Sequence, residues 1–214
     1  MDIRMTKFII CPTCRNELWW EIKEKNNNRI INGYAKCMEC REIYPIKNGI
    51  AIFLPIKWQN MKIWRRSERV AVQKMEMGEE HETLKSENIR QPSEILNMIR
   101  YRNRQGIIRN EALYHQYMES IGMPDTVSKL CYLARRCAKE VNDVDYILDF
   151  ASGKCLLVNE LSKLKNCHVI VNDINPIVVM QAQQDFEKFE HMSFMAFDMK
   201  RSPFRNKSIH TVTT

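Results

Sequence analysis

Four cysteines stand in two pairs, Cys11-x2-Cys14 and Cys37-x2-Cys40, with 22 residues between the pairs. Each pair offers two thiolates to one ion, and two pairs complete the tetrahedral shell of a structural zinc site. Disulfides fit poorly in a chain that shows no secretion signal. A redox pair would not need a second knuckle. With four thiolates no coordination position stays open, so the expected role of the metal is structural. It would also stabilise a module too small to fold securely alone. Cys131, Cys137, Cys155 and Cys167 lack ligand spacing and read as small buried apolar residues.

A second set of residues suited to chemistry lies in the last third of the chain. DYILDFASGKCLLV (145–158) reads as an apolar strand, a small-residue turn and a helix running on through NELSKLK. Such a unit places backbone N–H groups and a bare turn beside a ligand at the carboxyl end of a sheet. HVIVND (168–173) repeats the pattern and ends in Asp173, 24 residues after Asp149, a separation that fits one βαβ unit. An acid there is placed to accept hydrogen bonds from ribose hydroxyls. Asn175 is the expected cap of the next helix, with Pro176 at its first position. MSFMAF (192–197) is a third strand ending in Asp198, and SPFRNKSIHTVTT a loop and a fourth strand.

Other elements must hold these groups in place. LWWEIKE and RIINGYAKC, on either side of Asn26–Asn28, read as a hairpin filling the gap between the knuckles. Tyr44-Pro45 and Asn48-Gly49 are turn signals, and Ile50, Ile52 and Leu54 alternate as a strand expected to cover the ribbon. Residues 57–110 read as a helical connector. Ser93 is a candidate cap there, ahead of Ile95, Leu96 and Ile99 at helical spacing, and Arg100, Tyr101, Arg102 and Arg104 are candidate RNA contacts. From Asp125 to Val141 a clearer helix puts Val127, Leu130, Cys131, Ala134, Ala138 and Val141 on one face.

CPTC, CMEC and YPIKNGIAIFLP together resemble, over about residues 8–55, the zinc ribbon that precedes many bacterial and archaeal methyltransferase domains. They are similar to the zinc-ribbon family of tRNA-methyltransferase activators, and more distantly to the ribbon of rRNA guanine methyltransferases. ILDFASGKC, VNDIN, FDMKRSPF and NKSIHTVTT, in that order, resemble a class I S-adenosylmethionine-dependent methyltransferase. That resemblance implies a role for each matched position. Asp149 would orient the turn and the methionine end of the cofactor, with Ala151, Ser152 and Gly153 passing beneath it. Asp173 would hold the ribose diol, Ile174 would pack on the adenine, and Asp198 would accept from the adenine amino group beside Met199. The sequence departs from the family where its turn glycines are Ala151 and Cys155, and where His210 replaces an acid. Alanine fits such a turn if its φ stays negative. No catalytic residue is assigned, because acceptor-binding groups in that family lie after the fourth strand. The family sheet runs 3-2-1-4-5-7-6, so these residues are expected to form its 3-2-1-4 part, as a truncated methyltransferase with a naked sheet edge.

The expected class is therefore α/β: a zinc ribbon (1–56), a helical connector (57–124) and a partial Rossmann-like methyltransferase sheet (125–214). The 214 residues are 44% hydrophobic and 28% charged, which excludes a disordered or collagen-like chain. No apolar run reaches the roughly 18 residues of a membrane span, and the expected location is the cytoplasm. The net charge is +7, with +3 in residues 1–56, +5 in 57–110 and −1 in 111–214. A basic first half favours polyanionic partners, or is simply a solvated lysine-rich surface. The five histidines show no metal-ligand spacing, and neither a G-x-S-x-G elbow nor a phosphate loop is present. The expected activity is methyl transfer from S-adenosylmethionine to RNA or a small molecule. The alternative is a non-catalytic zinc-ribbon interaction module on a degenerate half-domain, meeting a protein partner through the ribbon or the sheet edge.

Overall fold

The computed structural model describes residues 1–59, 132–133, 135–141, 146–153, 155–164 and 167–214. The expected cap at Ser93 and the candidate RNA contacts Arg100, Tyr101, Arg102 and Arg104 lie outside them.

The architecture is mixed α/β, with one sheet running through both the ribbon and the C-terminal segment. Strands β1 (Leu18–Asn26), β2 (Arg29–Cys37), β3 (Ile43–Lys47) and β4 (Ile50–Phe53) come from the ribbon, and β5 (Tyr146–Asp149), β6 (His168–Asp173), β7 (Met192–Phe197) and β8 (Thr211–Thr213) from the C-terminal part. Their order across the sheet is β1-β2-β3-β4-β7-β6-β5-β8. The ribbon strands pair antiparallel through short turns. From β4 onward every pairing is parallel. The last four strands thus lie in the order third, second, first, fourth.

The join is the β4–β7 ladder, which matches Ile50 with Phe194, Ala51 with Met195, Ile52 with Ala196 and Phe53 with Phe197. Side chains alternate across a strand, so β4 faces two ways. Ala51 and Phe53 join a core that includes Met5, Ile9, Tyr44, Leu148, Ile170 and Phe197. Ile50, Ile52 and Leu54 join the opposite core, with Val158, Val169, Val179, Phe186 and Phe194. This corrects the expectation that Ile50, Ile52 and Leu54 cover the ribbon. They point to the face carrying the helices, and the ribbon covers the other.

Two helices pack on that second face: α1 (Leu156–Leu161) and α2 (Pro176–Phe186). Helix α2 starts as expected, with Asn175 accepting from the Ile177 N–H at 2.9 Å and Pro176 in the first turn. Helix α1 is shorter than its sequence pattern suggests: it ends at Leu161, and its N-cap Cys155 sits at φ 53° with no side-chain cap. Residues 132–133 and 135–140 are helical, and Ala138 and Val141 pack against the helix-side core. Cys155 and Cys167 are buried as expected, but Cys137 is exposed on that helical segment. None of the described helices is long and apolar enough to cross a membrane.

Candidate metal centre and ligand turn

The two knuckles converge. The sulfurs of Cys11, Cys14, Cys37 and Cys40 all lie within 4.8 Å of one another, with Cys11–Cys40 at 3.5 Å and Cys14–Cys37 at 3.4 Å. Four thiolates at about 2.3 Å from a tetrahedral zinc lie about 3.8 Å apart, so the cluster has the size of a zinc site. Cys11 precedes the loop closed by the Arg15 N–H to its carbonyl, and Cys37 ends β2. The outer shell is supplied by Tyr44, whose hydroxyl lies 3.3 Å from the Cys11 sulfur and 3.1 Å from the Thr13 hydroxyl. The backbone N–H of Asn16 brings the Cys14 thiol down to about 6, whereas burial pushes Cys40 up to about 12. A cation among four sulfurs favours the thiolate at all four.

At the other end of the sheet three acids stand at the carboxyl ends of adjacent parallel strands: Asp149 on β5, Asp173 on β6 and Asp198 just past β7. The turn after β5 is fastened to β6. Ser152 donates its N–H to the Asn172 carbonyl at 2.8 Å and its hydroxyl to the Asp149 carbonyl at 2.9 Å. Asn172 itself is buried and spans to the Met195 and Phe197 carbonyls at 3.1 and 3.2 Å, so it ties β6 to β7 where both end. Nothing in the periodicity of HVIVND marks that role. A polar residue in an otherwise apolar strand is the one signal that flags it.

Asp149 is buried and accepts from the Thr213 hydroxyl at 2.7 Å. Burial pushes its carboxyl up, and the Thr213 and Ser152 hydroxyls partly offset that. Asp173 accepts the Asn175 N–H at 2.9 Å and also meets the Gly153 and Ile174 N–H groups. Its carboxyl is still pushed up, because burial outweighs those bonds. The fold therefore brings Gly153 and Asp173 together. Ile174 is 37% exposed beside them. Asp198 caps a short 3-10 turn through the Lys200 N–H at 2.9 Å, and Met199 follows it, 57% exposed. The turn does not take the backbone expected of it. Ala151 adopts φ 50° rather than a negative angle, and Gly153 adopts φ 47°. Both departures from the glycine pattern, Ala151 and Cys155, thus occupy left-handed backbone that glycine fills without strain.

The fit to an adenosyl cofactor rests on Asp173. An ionised carboxylate accepts about four hydrogen bonds, and three backbone donors leave room for a ribose hydroxyl.

One further polar group lies between the ribbon and the sheet. Asp2, His168 and Ser193 are all buried, in segments far apart in sequence. His168 Nε2 lies 2.9 Å from the Ser193 hydroxyl, and its Nδ1 faces the Asp2 carboxylate at 3.8 Å. Arg4 grips Asp2 with both Nε and Nη2. Sequence spacing gave no sign of this group, because its members come from three elements.

Residues 2–49 match the sequence model of a family described as "Trm112p-like protein". A UPF0434 protein of Methylobacillus flagellatus is 33% identical over 54 residues, a match that covers 25% of this chain and 77% of that protein.

Proposed function

Since this chain belongs, through residues 2–49, to the Trm112p-like family, we propose that its zinc ribbon is an interaction module whose partner is the parallel sheet of the same chain. The observation that carries this reading is the β4–β7 ladder, in which the last ribbon strand adds itself to the C-terminal sheet. Strand addition of this kind satisfies the backbone of an edge while alternate side chains set specificity. The zinc acts as a structural clamp that fixes the hairpins carrying β4. Replacing Ala51 by Pro removes an N–H on the side of β4 that faces β7 and tests the reading. The expected result is loss of hydrogen-exchange protection in β6 and β7 with the zinc content unchanged. Unchanged protection there would overturn it.

The strand order β7-β6-β5-β8 and the three strand-end acids favour a second, finer reading, in which the sheet binds S-adenosylmethionine for methyl transfer to RNA or a small molecule. The cofactor would supply an electrophilic methyl group. Asp173 would hold the ribose, Ala151, Ser152 and Gly153 would lie under the methionine moiety with Asp149 behind them, and Ile174, Asp198 and Met199 would meet the adenine. Calorimetric titration of the zinc-loaded protein with S-adenosylmethionine tests this. Asp173→Ala should weaken binding at least about tenfold, the worth of one or two charge-assisted hydrogen bonds. Absence of binding would remove this reading and leave the first intact.

A further inference from the structure

Beside the edge strand β8, on the ribbon face of the sheet, lies a cleft of about 530 Å³. Five cations line it and no acidic residue does: Arg15 from the first zinc knuckle, Lys200 and Arg201 from the turn after β7, and Arg205 and Lys207 from the loop that follows. Residues 111–214 carry a net −1, so this concentration is local and does not follow from a generally basic segment.

The five are not equivalent. Arg205 is paired with Glu17. Arg15 donates to the Ser202 and Phe204 carbonyls at 2.6 and 2.7 Å, which fixes its guanidinium without neutralising it. Lys200, Arg201 and Lys207 are exposed, and among the described residues none forms an ion pair with a carboxylate. Between the cations the cleft presents apolar surface from Phe150, from Met199 (57% exposed) and from Val212 (55% exposed). Fixed and mobile cations around an aromatic and apolar floor match a chain of phosphates whose bases need a dry surface. A membrane surface fits a concave site poorly, and an acidic peptide would leave the apolar floor uncovered. The Ser202 hydroxyl and the Asn206 amide, also in the lining, offer neutral partners for a 2′-hydroxyl.

We propose that this cleft binds single-stranded RNA, with phosphates on Arg15, Lys200, Arg201 and Lys207 and bases against Phe150 and Val212. Binding requires only the folded ribbon and sheet, so it stands or falls separately from cofactor binding.

The test is fluorescence anisotropy of the full chain with a short labelled single-stranded RNA over a salt series. The double variant Lys200→Glu/Lys207→Glu should bind at least about tenfold more weakly. Its salt slope should fall by about 1.4, since each lost phosphate contact removes about 0.7 from the log–log slope. Lys23→Glu/Lys25→Glu on β1 should change neither quantity. Zinc content and thermal melting establish that each variant is folded. Should the double variant fail to fold, photocrosslinking of a 4-thiouridine RNA to the unaltered protein should label residues 199–212. Unchanged affinity on charge reversal in the cleft, or crosslinks only elsewhere, overturns the proposal. Equal affinity for single-stranded DNA or for polyglutamate overturns the assignment to RNA.

Discussion

The backbone N–H of Asp2 donates to the Ser193 hydroxyl at 2.9 Å, a buried hydrogen bond between residues 191 positions apart. It joins the start of the ribbon to the second residue of β7. Because Ser193 accepts from Asp2, its hydroxyl hydrogen is left for His168 Nε2 at 2.9 Å. Ser193→Ala leaves a buried N–H and a buried ring nitrogen without this partner. The expected cost is about 1–3 kcal/mol, read as a lower urea midpoint with an unchanged m-value.

The same group sets a pH dependence. Burial pushes the His168 imidazole from 6.5 down to about 4, against the pull of Asp2 and with Arg4, His191 and the Met1 amine adding to the push. Between those values the unfolded chain takes up a proton that the folded chain refuses, so stability falls as the pH drops from about 6.5 to about 4. Asp2 adds a further loss at lower pH: burial pushes its carboxyl up, but Arg4 and His168 together hold it below the usual carboxylate range. Melting temperatures across this range should decline for the native chain and follow a flatter course for His168→Gln.

The metal prediction is one zinc per chain by elemental analysis. Cys37→Ser should lower zinc retention and melt the ribbon, because Cys37 ends β2 and supplies one of the four thiols. Loss of zinc should also reduce protection in β7, since β4 is its neighbour. A folded protein that contains no zinc would overturn the four-thiolate site.

Ala151 at φ 50° predicts a stabilising substitution. A non-glycine residue in left-handed backbone costs roughly 1–2 kcal/mol, and glycine gives back about half of that in chain entropy. Ala151→Gly should therefore raise stability by about 0.5–1 kcal/mol in chemical denaturation, and a loss would show that the turn does not hold this conformation.

Phe53 is buried between the ribbon and the sheet, with ring centroids 5.2 Å from Tyr44 and 6.3 Å from Trp20. Phe53→Ala should cost about 3–5 kcal/mol and destabilise the ribbon and C-terminal strands in one cooperative transition, checked by comparing tryptophan fluorescence with far-ultraviolet circular dichroism.

Much of this was legible in the sequence. The Cys-x2-Cys spacing names all four thiols that converge, and the boundaries of RIINGYAKC, HVIVND and MSFMAF coincide with β2, β6 and β7. Local chemistry sets such features: knuckles, β-branched runs, and an Asn-Pro helix start. The rest depends on which strand lies beside which. The alternation of Ile50, Ile52 and Leu54 announces a strand with an apolar face, but gives no sign that β7 is its neighbour. Nor does it tell which of two apolar faces meets the ribbon, since both faces of β4 are buried. The Asp2–His168–Ser193 group and the Asn172 tie are invisible for the same reason. Each joins residues whose proximity is created by the parallel ladder. The φ of Ala151 is not legible either, because a small residue in a turn reads alike in either backbone region.

The partner of Ile50 in the ladder is Phe194, so the ribbon is made long before the strand it joins. At about 5–20 residues per second a ribosome needs about 7–29 s to travel from one to the other. Throughout that interval a nascent ribbon holds out an apolar strand with one side unpaired, the kind of edge that captures strangers. Cells that synthesise this protein therefore face a timing problem, and slow elongation or a holding chaperone should change its soluble yield far more than its final stability.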